Sequence, residues 1–338
     1  MAIRQTATAA RQARIRPRQE LRAQAVGQSR QQRQRERERP ATLLRNADVA
    51  MQRAKTRGRG RCEVFDTTWT AGGRERLELE ADLRTAIVEG GLVVYYQPLV
   101  NLSTGRIDEL EALVRWQHPI RGLLSPAEFL PLAEDTGLIK KIGSWVLHEG
   151  CKQLKAWQHI PGCEQMSLSV NLSARQLDAP AELLADVRGT LLATGLNARH
   201  LTLELTETVA MQDAESTAMT LRVFRKLGLR LAIDDFGTGY SSLAYLRQFP
   251  VDTLKVDRSF VAGIGRDDQE TAIVRSVVAL ASSLGLGVTA EGIENSVQLD
   301  QLRALGVHRG QGFYFARPLP AAEVSSLLDA AADWPQAA

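Results

Sequence analysis

From about residue 77 onward, short runs of alternating apolar and polar residues take turns with longer stretches of helical spacing. Period-two patterns rich in aliphatic and β-branched residues predict strands at 92–102, 107–116, 167–173, 201–206, 230–235, 253–257, 287–292 and 312–315. Apolar positions at helical spacing predict helices at 78–89, 126–134, 140–158, 175–193, 213–226, 268–284, 295–304 and 320–331. The first two strands are separated only by Ser103-Thr104-Gly105-Arg106, too short for a parallel crossover, so they are expected to be antiparallel. The other six follow βα units. Eight strands over roughly 250 residues imply an α/β fold, a TIM-like (β/α)8 barrel with one antiparallel strand.

Side-chain parity then sorts the polar residues within these strands. In Leu168-Ser169-Val170-Asn171-Leu172 the aliphatics share one face and Asn171 takes the other. Glu204 sits in the polar phase between Leu203 and Leu205, Asp234 opposite Leu231 and Ile233, and Lys255 between Leu254 and Val256. Glu291 alternates with Val288 and Ala290, and Glu109, Glu111, Leu113 and Arg115 share a face of the second strand. Aliphatic faces pack on helices, so these polar groups are expected to point into the barrel mouth. Asp234 and Asp235 are adjacent carboxylates at a strand end, followed at once by Gly237-Thr238-Gly239.

So many inward carboxylates are costly to ionise unless a cation compensates them, and one lysine cannot neutralise five. Oxygen ligands without clustered His or Cys favour hard cations, Mg²⁺ or Mn²⁺, over zinc. Two such ions about 3.5–4 Å apart, bridged by Asp234, would give an arrangement used for phosphodiester hydrolysis.

Composition adds an asymmetry. The 338 residues carry a net charge of +3, but residues 1–40 hold 11 Arg and 3 Glu, which leaves the remainder at −5. That Arg/Gln-rich tail has almost no aliphatics larger than Ala and is expected to be disordered or an exposed helix. Nucleic-acid attraction by it lacks interleaved aromatics to stack on bases. No apolar run reaches membrane-spanning length, and no secretion signal is visible. Cys62, Cys151 and Cys163 lack metal-ligand spacing and read as reduced thiols of a cytoplasmic protein.

Motifs now gather into a resemblance. Glu111-Ala112-Leu113, Val114-Arg115-Trp116, Val170-Asn171-Leu172-Ser173 and Glu204-Leu205-Thr206-Glu207 follow one another in order. Asp234-Asp235-Phe236-Gly237-Thr238-Gly239, Lys255-Val256-Asp257, Glu291-Gly292-Ile293-Glu294 and Gly310-Gln311-Gly312-Phe313 complete the series. This set closely resembles the EAL-domain cyclic-di-GMP phosphodiesterases. Residues 41–66 resemble the last helix and strand of a GGDEF (diguanylate cyclase) domain, with Gln52 where an aromatic is usual and no GGDEF signature upstream. The expected layout is a tail at 1–40, a GGDEF remnant at 41–66, a linker at 67–76 and the barrel at 77–333.

The resemblance implies that Glu111, Asn171, Glu204 and Asp234 bind one metal and that Asp235 helps hold the second, with Glu291 also near the metals. Lys255 and Glu291 would orient or deprotonate the attacking water, Lys255 as a base of lowered pKa or as a cation on the phosphate. Gln97, Arg115, Asp257 and Gln311 match dinucleotide-contacting positions, Glu294 would support the metals from behind, and Glu207 would anchor the loop at 236–242. That loop couples metal binding to dimerisation in the family, so a homodimer is expected. The implied reaction is hydrolysis of cyclic-di-GMP to the linear 5′-phosphorylated dinucleotide, 5′-pGpG. The alternative from another class is a non-catalytic cyclic-di-GMP receptor.

Overall fold

Ten strands carry the framework: β1 (Leu92–Asn101), β2 (Ile107–His118), β3 (Gly122–Leu124), β4 (Ser167–Asn171), β5 (Leu201–Thr206), β6 (Arg230–Phe236), β7 (Thr253–Val256), β8 (Gly287–Ala290), β9 (Arg309–Gly310) and β10 (Leu319–Pro320). This computed structural model describes residues 67–239 and 243–329, together with Met51. Apart from Met51, the expected tail and GGDEF remnant lie outside the described residues. The chain divides into two units, Met1–Leu79 and Glu80–Ala338. In the first, the described part is essentially the opening of a helix, Thr67–Glu89.

The second unit is the barrel. Its sheet runs β1–β9–β8–β7–β6–β5–β4–β2 and closes by pairing of β2 with β1. Adjacent strands are parallel except at β1, which is antiparallel to both β2 and β9. The fold is thus the expected TIM-like barrel with one reversed strand. β3 and β10 add short antiparallel pairings outside the ring.

Parity works as the sequence requires. Leu168, Leu203, Leu205, Leu231, Ile233, Leu254 and Val256 are buried on the helix-facing side of their strands. Phe129, Trp157 and Phe224 fill the layer between barrel and helices. Fully burying each such large side chain contributes about 1.5–3 kcal/mol. Among the described residues, no helix is long and apolar enough to cross a membrane.

Several boundaries differ from expectation. The predicted strand at 312–315 is a turn, and the eighth barrel strand is Arg309–Gly310 instead. The reason is a close approach: a Cβ at Gly312 would sit 2.1 Å from the Ile293 carbonyl oxygen, so backbone packs on backbone there and the chain bends away. The predicted helix at 175–193 is two helices, Ala174–Leu177 and Pro180–Thr194, because Pro180 lacks an N–H and starts a helix anew. An extra short helix, Glu207–Gln212, precedes Ala214–Lys226. The segment expected as a linker at 67–76 is helical and continuous with the predicted helix at 78–89. It contains no proline, although Gly72 and Gly73 each disfavour helix by about 1 kcal/mol.

Candidate active site

The site is built around Lys255, the third residue of β7, whose polar phase turns it into the barrel. Its side chain is 1% exposed. The Nζ lies 2.7 Å from Glu204 Oε2 on β5 and 2.7 Å from Glu291 Oε1 just past β8. Asp234 Oδ1 of β6 is 3.3 Å away and Glu111 Oε2 of β2 is 3.8 Å away. Four carboxylates from four different strand ends therefore converge on one ammonium.

Their charges are not balanced, and the titration of the groups records it. Burial, joined by repulsion from Glu111 and Asp234, raises Glu204 well above the carboxylate range despite the attraction of Lys255. Glu291 is pushed up to about 8, first by burial, with Asp234 and Glu111 adding to it. Without bound cations, Lys255 shifts upward. Burial disfavours its charge, but the combined field of Glu111, Glu204, Glu291 and Asp234 outweighs that and raises it well above the usual lysine value. Without bound cations, that field favours the charged form of Lys255.

Nearer the rim, single carboxylate oxygens of Asp234, Asp235 and Glu291 lie within 4.8 Å of one another. Asp235 adopts a left-handed backbone (φ 53°), the one positive φ outside glycine among the described residues. Asp tolerates this region better than most residues, and strained positions of this kind concentrate at functional sites. The turn aims its carboxyl beside Asp234 and Asp257. Burial and then the Asp234 and Asp257 charges push Asp235 up to about 6, and it shares a side-chain hydrogen bond with Asp257. Asp257 also caps the helix Arg258–Ala262 by accepting from Ser259 N at 3.0 Å.

A chain of amides links the opposite wall. Asn171 Nδ2 donates to Glu111 Oε1 at 2.7 Å, and Gln311 Nε2 donates to Glu111 Oε2 at 2.7 Å and to Gln97 Oε1 at 2.9 Å. Gln97 Nε2 in turn donates to the Ala316 carbonyl at 3.0 Å. Gln97 and Glu111 are direct register partners across β1 and β2. A register shift between Leu99 and Val100 sets that pairing, so neither the length of the turn at 103–106 nor strand parity yields it. Gln311 Oε1 is buried without a hydrogen-bond partner among the described residues, an acceptor left for a ligand.

The remaining expected residues are placed less uniformly. Arg115 is half-buried, donates to the Val114 carbonyl at 2.8 Å and lies 5.6 Å from the Tyr95 ring centre. Glu207 is 1% exposed and accepts from Gly237 N through Oε2 at 2.7 Å, which ties the helix Glu207–Gln212 to the loop after β6. Residues 240–242 of that loop lie outside the described residues. Glu294 is solvent-exposed, and its backbone N–H, 2.7 Å from Gln298 Oε1, is what the fold engages. Its carboxylate is not among the Asp234, Asp235 and Glu291 groups that lie within 4.8 Å of one another.

The donor set fits hard divalent cations. Five carboxylates, Glu111, Glu204, Asp234, Asp235 and Glu291, share one lysine, and Glu204, Asp235 and Glu291 are driven toward protonation by burial and then by their neighbours' negative charge. All donors are oxygen, which suits Mg²⁺ or Mn²⁺ rather than thiophilic metals.

Comparison with known proteins points the same way. The EAL domain family model matches residues 80–318. The bifunctional diguanylate cyclase/cyclic di-GMP phosphodiesterase MucR of Pseudomonas aeruginosa is 44% identical over 282 residues, covering 83% of this chain and 41% of MucR. The cyclic di-GMP phosphodiesterase NbdA of the same organism is 42% identical over 288 residues, covering 85% of this chain and 36% of NbdA. A PaMucR phosphodiesterase solved in complex with c-di-GMP has TM-score 0.70 and 45% identity, covering 73% of this chain and 99% of that chain. The chain spans 34–46% of the length of the curated relatives it matches.

Proposed function

The chain belongs to the EAL domain family, and from that premise we propose that it hydrolyses cyclic-di-GMP to linear 5′-pGpG at a two-metal centre. The observation that carries the reading is the convergence of Glu111, Glu204, Asp234 and Glu291 on Lys255, with Asn171 and Asp235 alongside. In this reading Glu111, Asn171, Glu204 and Asp234 hold one divalent cation, Mg²⁺ or Mn²⁺, and Asp235 and Glu291 help hold the second. Such cations supply Lewis-acid charge and activate water for phosphodiester cleavage.

The chain's own groups do the rest. Glu291, beside Asp234 and Asp235 and 2.7 Å from Lys255, is the residue suited to take a proton from the attacking water. Lys255, 2.7 Å from it, stays charged and offsets negative charge as it develops on the phosphate. Gln97, Arg115, Asp257 and Gln311 orient the dinucleotide, with the free Gln311 Oε1 as an acceptor for it. Glu207 fixes the start of the loop at 236–242, through which a homodimer would be coupled to the metals. The proposal takes residues 77–333 as the barrel of a cytoplasmic enzyme and assigns the basic tail no part in the reaction.

The test is incubation of the purified chain with cyclic-di-GMP and Mg²⁺, Mn²⁺ or EDTA, with product analysis by chromatography. Cation-dependent 5′-pGpG supports the proposal. Tight binding without product would make the chain a cyclic-di-GMP receptor, and absence of both would sink either reading.

A further inference from the structure

β9 is the shortest strand of the ring. It is two residues long and meets β1 at two positions, Val100 with Gly310 and Asn101 with Arg309. Gly310 offers no side chain to pack, since a Cβ there would fall 2.5 Å from Ile293 Cδ1. Yet this strand delivers Gln311, whose single amide nitrogen serves both Glu111 and Gln97. Backbone bonds hold Gln311 itself, whose N–H donates to the Ala290 carbonyl at 2.8 Å and whose carbonyl accepts from Ile293 N at 3.0 Å, but they leave the direction of its long side chain to be set by its neighbours.

A side-chain brace lies one step further from the mouth. Glu109 precedes Glu111 by two residues on β2 and so shares its face, and Arg309 stands two residues before Gln311, which directly follows β9. Arg309 Nη1 lies 3.2 Å from Glu109 Oε2, and Arg309 Nε donates to Asp108 Oδ2 at 3.2 Å. Glu109 is 3% exposed and is held from its other side by Thr202 Oγ1, which donates to Oε1 at 2.6 Å. β2 and β9 are not paired with each other, because β1 stands between them. Two side-chain crossbars therefore span from β9 to β2 over β1: Arg309 to Glu109 below, Gln311 to Glu111 above. Stability alone does not account for the lower one, since a buried ion pair is often no better than apolar packing of the same volume. Its distinct property is geometric. A planar guanidinium engaging two consecutive carboxylates fixes both the height and the rotation of its strand.

We propose that Arg309 and Glu109 are positioning residues, which set Gln311 against Glu111 and thereby shape the dinucleotide-binding wall. The proposal rests on the hydrolase reading above, with Gln311 as a ligand-contacting residue. If the brace acts through Gln311, its loss has nothing left to disturb once the Gln311 amide is gone.

The experiment is a cycle in the full 338-residue chain: wild type, Arg309→Lys, Gln311→Ala and the double variant. Each is assayed for kcat and KM with cyclic-di-GMP and Mg²⁺, for dinucleotide affinity by calorimetry and for melting temperature. Arg309→Lys keeps the charge but not the fork. It is expected to lower kcat/KM by about 10-fold or more, mainly through KM, as loss of an outer supporting partner does. The double variant is expected to be no worse than Gln311→Ala. Effects that multiply instead, an Arg309→Lys rate within about twofold of wild type, or outright unfolding of Arg309→Lys would each overturn the proposal. A wild type without turnover would sink the hydrolase reading, and the same cycle read in affinity would then decide this one. A wild type that neither binds nor cleaves overturns both.

Discussion

Stripping the site of divalent cations and raising the pH is expected to destabilise the barrel. In the cation-free protein Glu291 carries a pKa of about 8 against an ordinary 4.5, so between those values the folded chain binds a proton that the unfolded chain has released. Stability is then fully present below about pH 4.5 and is lost as pH rises toward 8, the opposite of the usual salt-bridged carboxylate. At about 1.4 kcal/mol per pH unit, the gap corresponds to about 5 kcal/mol. Glu204 is raised for the same cause and has the same sign. Lys255 is raised too, so its contribution fades only above the ordinary lysine range and leaves the window untouched. About 4 kcal/mol of this falls between pH 5 and pH 8.5, and for a domain of this size 1 kcal/mol moves the melting temperature by about 2–4 °C, so a fall of about 8–15 °C is expected over that range in EDTA. Cations bind the ionised carboxylates, so Mg²⁺ at 100 times its Kd should add about 2.7 kcal/mol and do so increasingly at high pH. Differential scanning calorimetry at matched ionic strength measures both. A flat melting temperature in EDTA, or an equal slope with and without Mg²⁺, would refute the charge-imbalance argument.

Three substitutions probe the same machinery. Glu111→Ala removes the acceptor shared by Asn171 and Gln311 along with a proposed ligand, and turnover should fall at least about 100-fold, read as linear product over time. Lys255→Ala should leave dinucleotide affinity near wild type by calorimetry while the rate drops about 10²–10³-fold; unchanged turnover would remove the lysine from the chemistry. Glu207→Ala orphans the Gly237 N–H, costing about 1–3 kcal/mol in chemical denaturation. Its cation affinity should persist while turnover falls about tenfold, and a parallel loss of both would mean that Glu207 is itself a ligand.

The barrel and the inward direction of Glu111, Glu204, Asp234 and Lys255 were legible because side-chain parity is a local property of a strand. The reversed β1 was equally legible, since a four-residue connection excludes a crossover. What escaped depends on contacts between distant segments. β9 is a polar dipeptide, while Phe313-Tyr314-Phe315 has the stronger strand propensity, and the close approach of Gly312 to Ile293 decides between them. The number of carboxylates around Lys255 is likewise a matter of three-dimensional packing, which strand parity does not count.

One consequence of the reversed strand concerns traffic rather than catalysis. An all-parallel barrel threads its first strand from the floor upward, so its N-terminal junction and its chemistry occupy opposite poles. Here Leu92 pairs with Trp116, beyond Arg115 at the upper end of β2, and β1 descends from there to the floor at Asn101. The junction at residues 80–91 and the carboxylate cluster therefore share one pole. A pull or twist applied to that junction acts first on the upper turns of β1 and β2, the strands that carry Gln97 and Glu111, with no need to travel the length of the barrel.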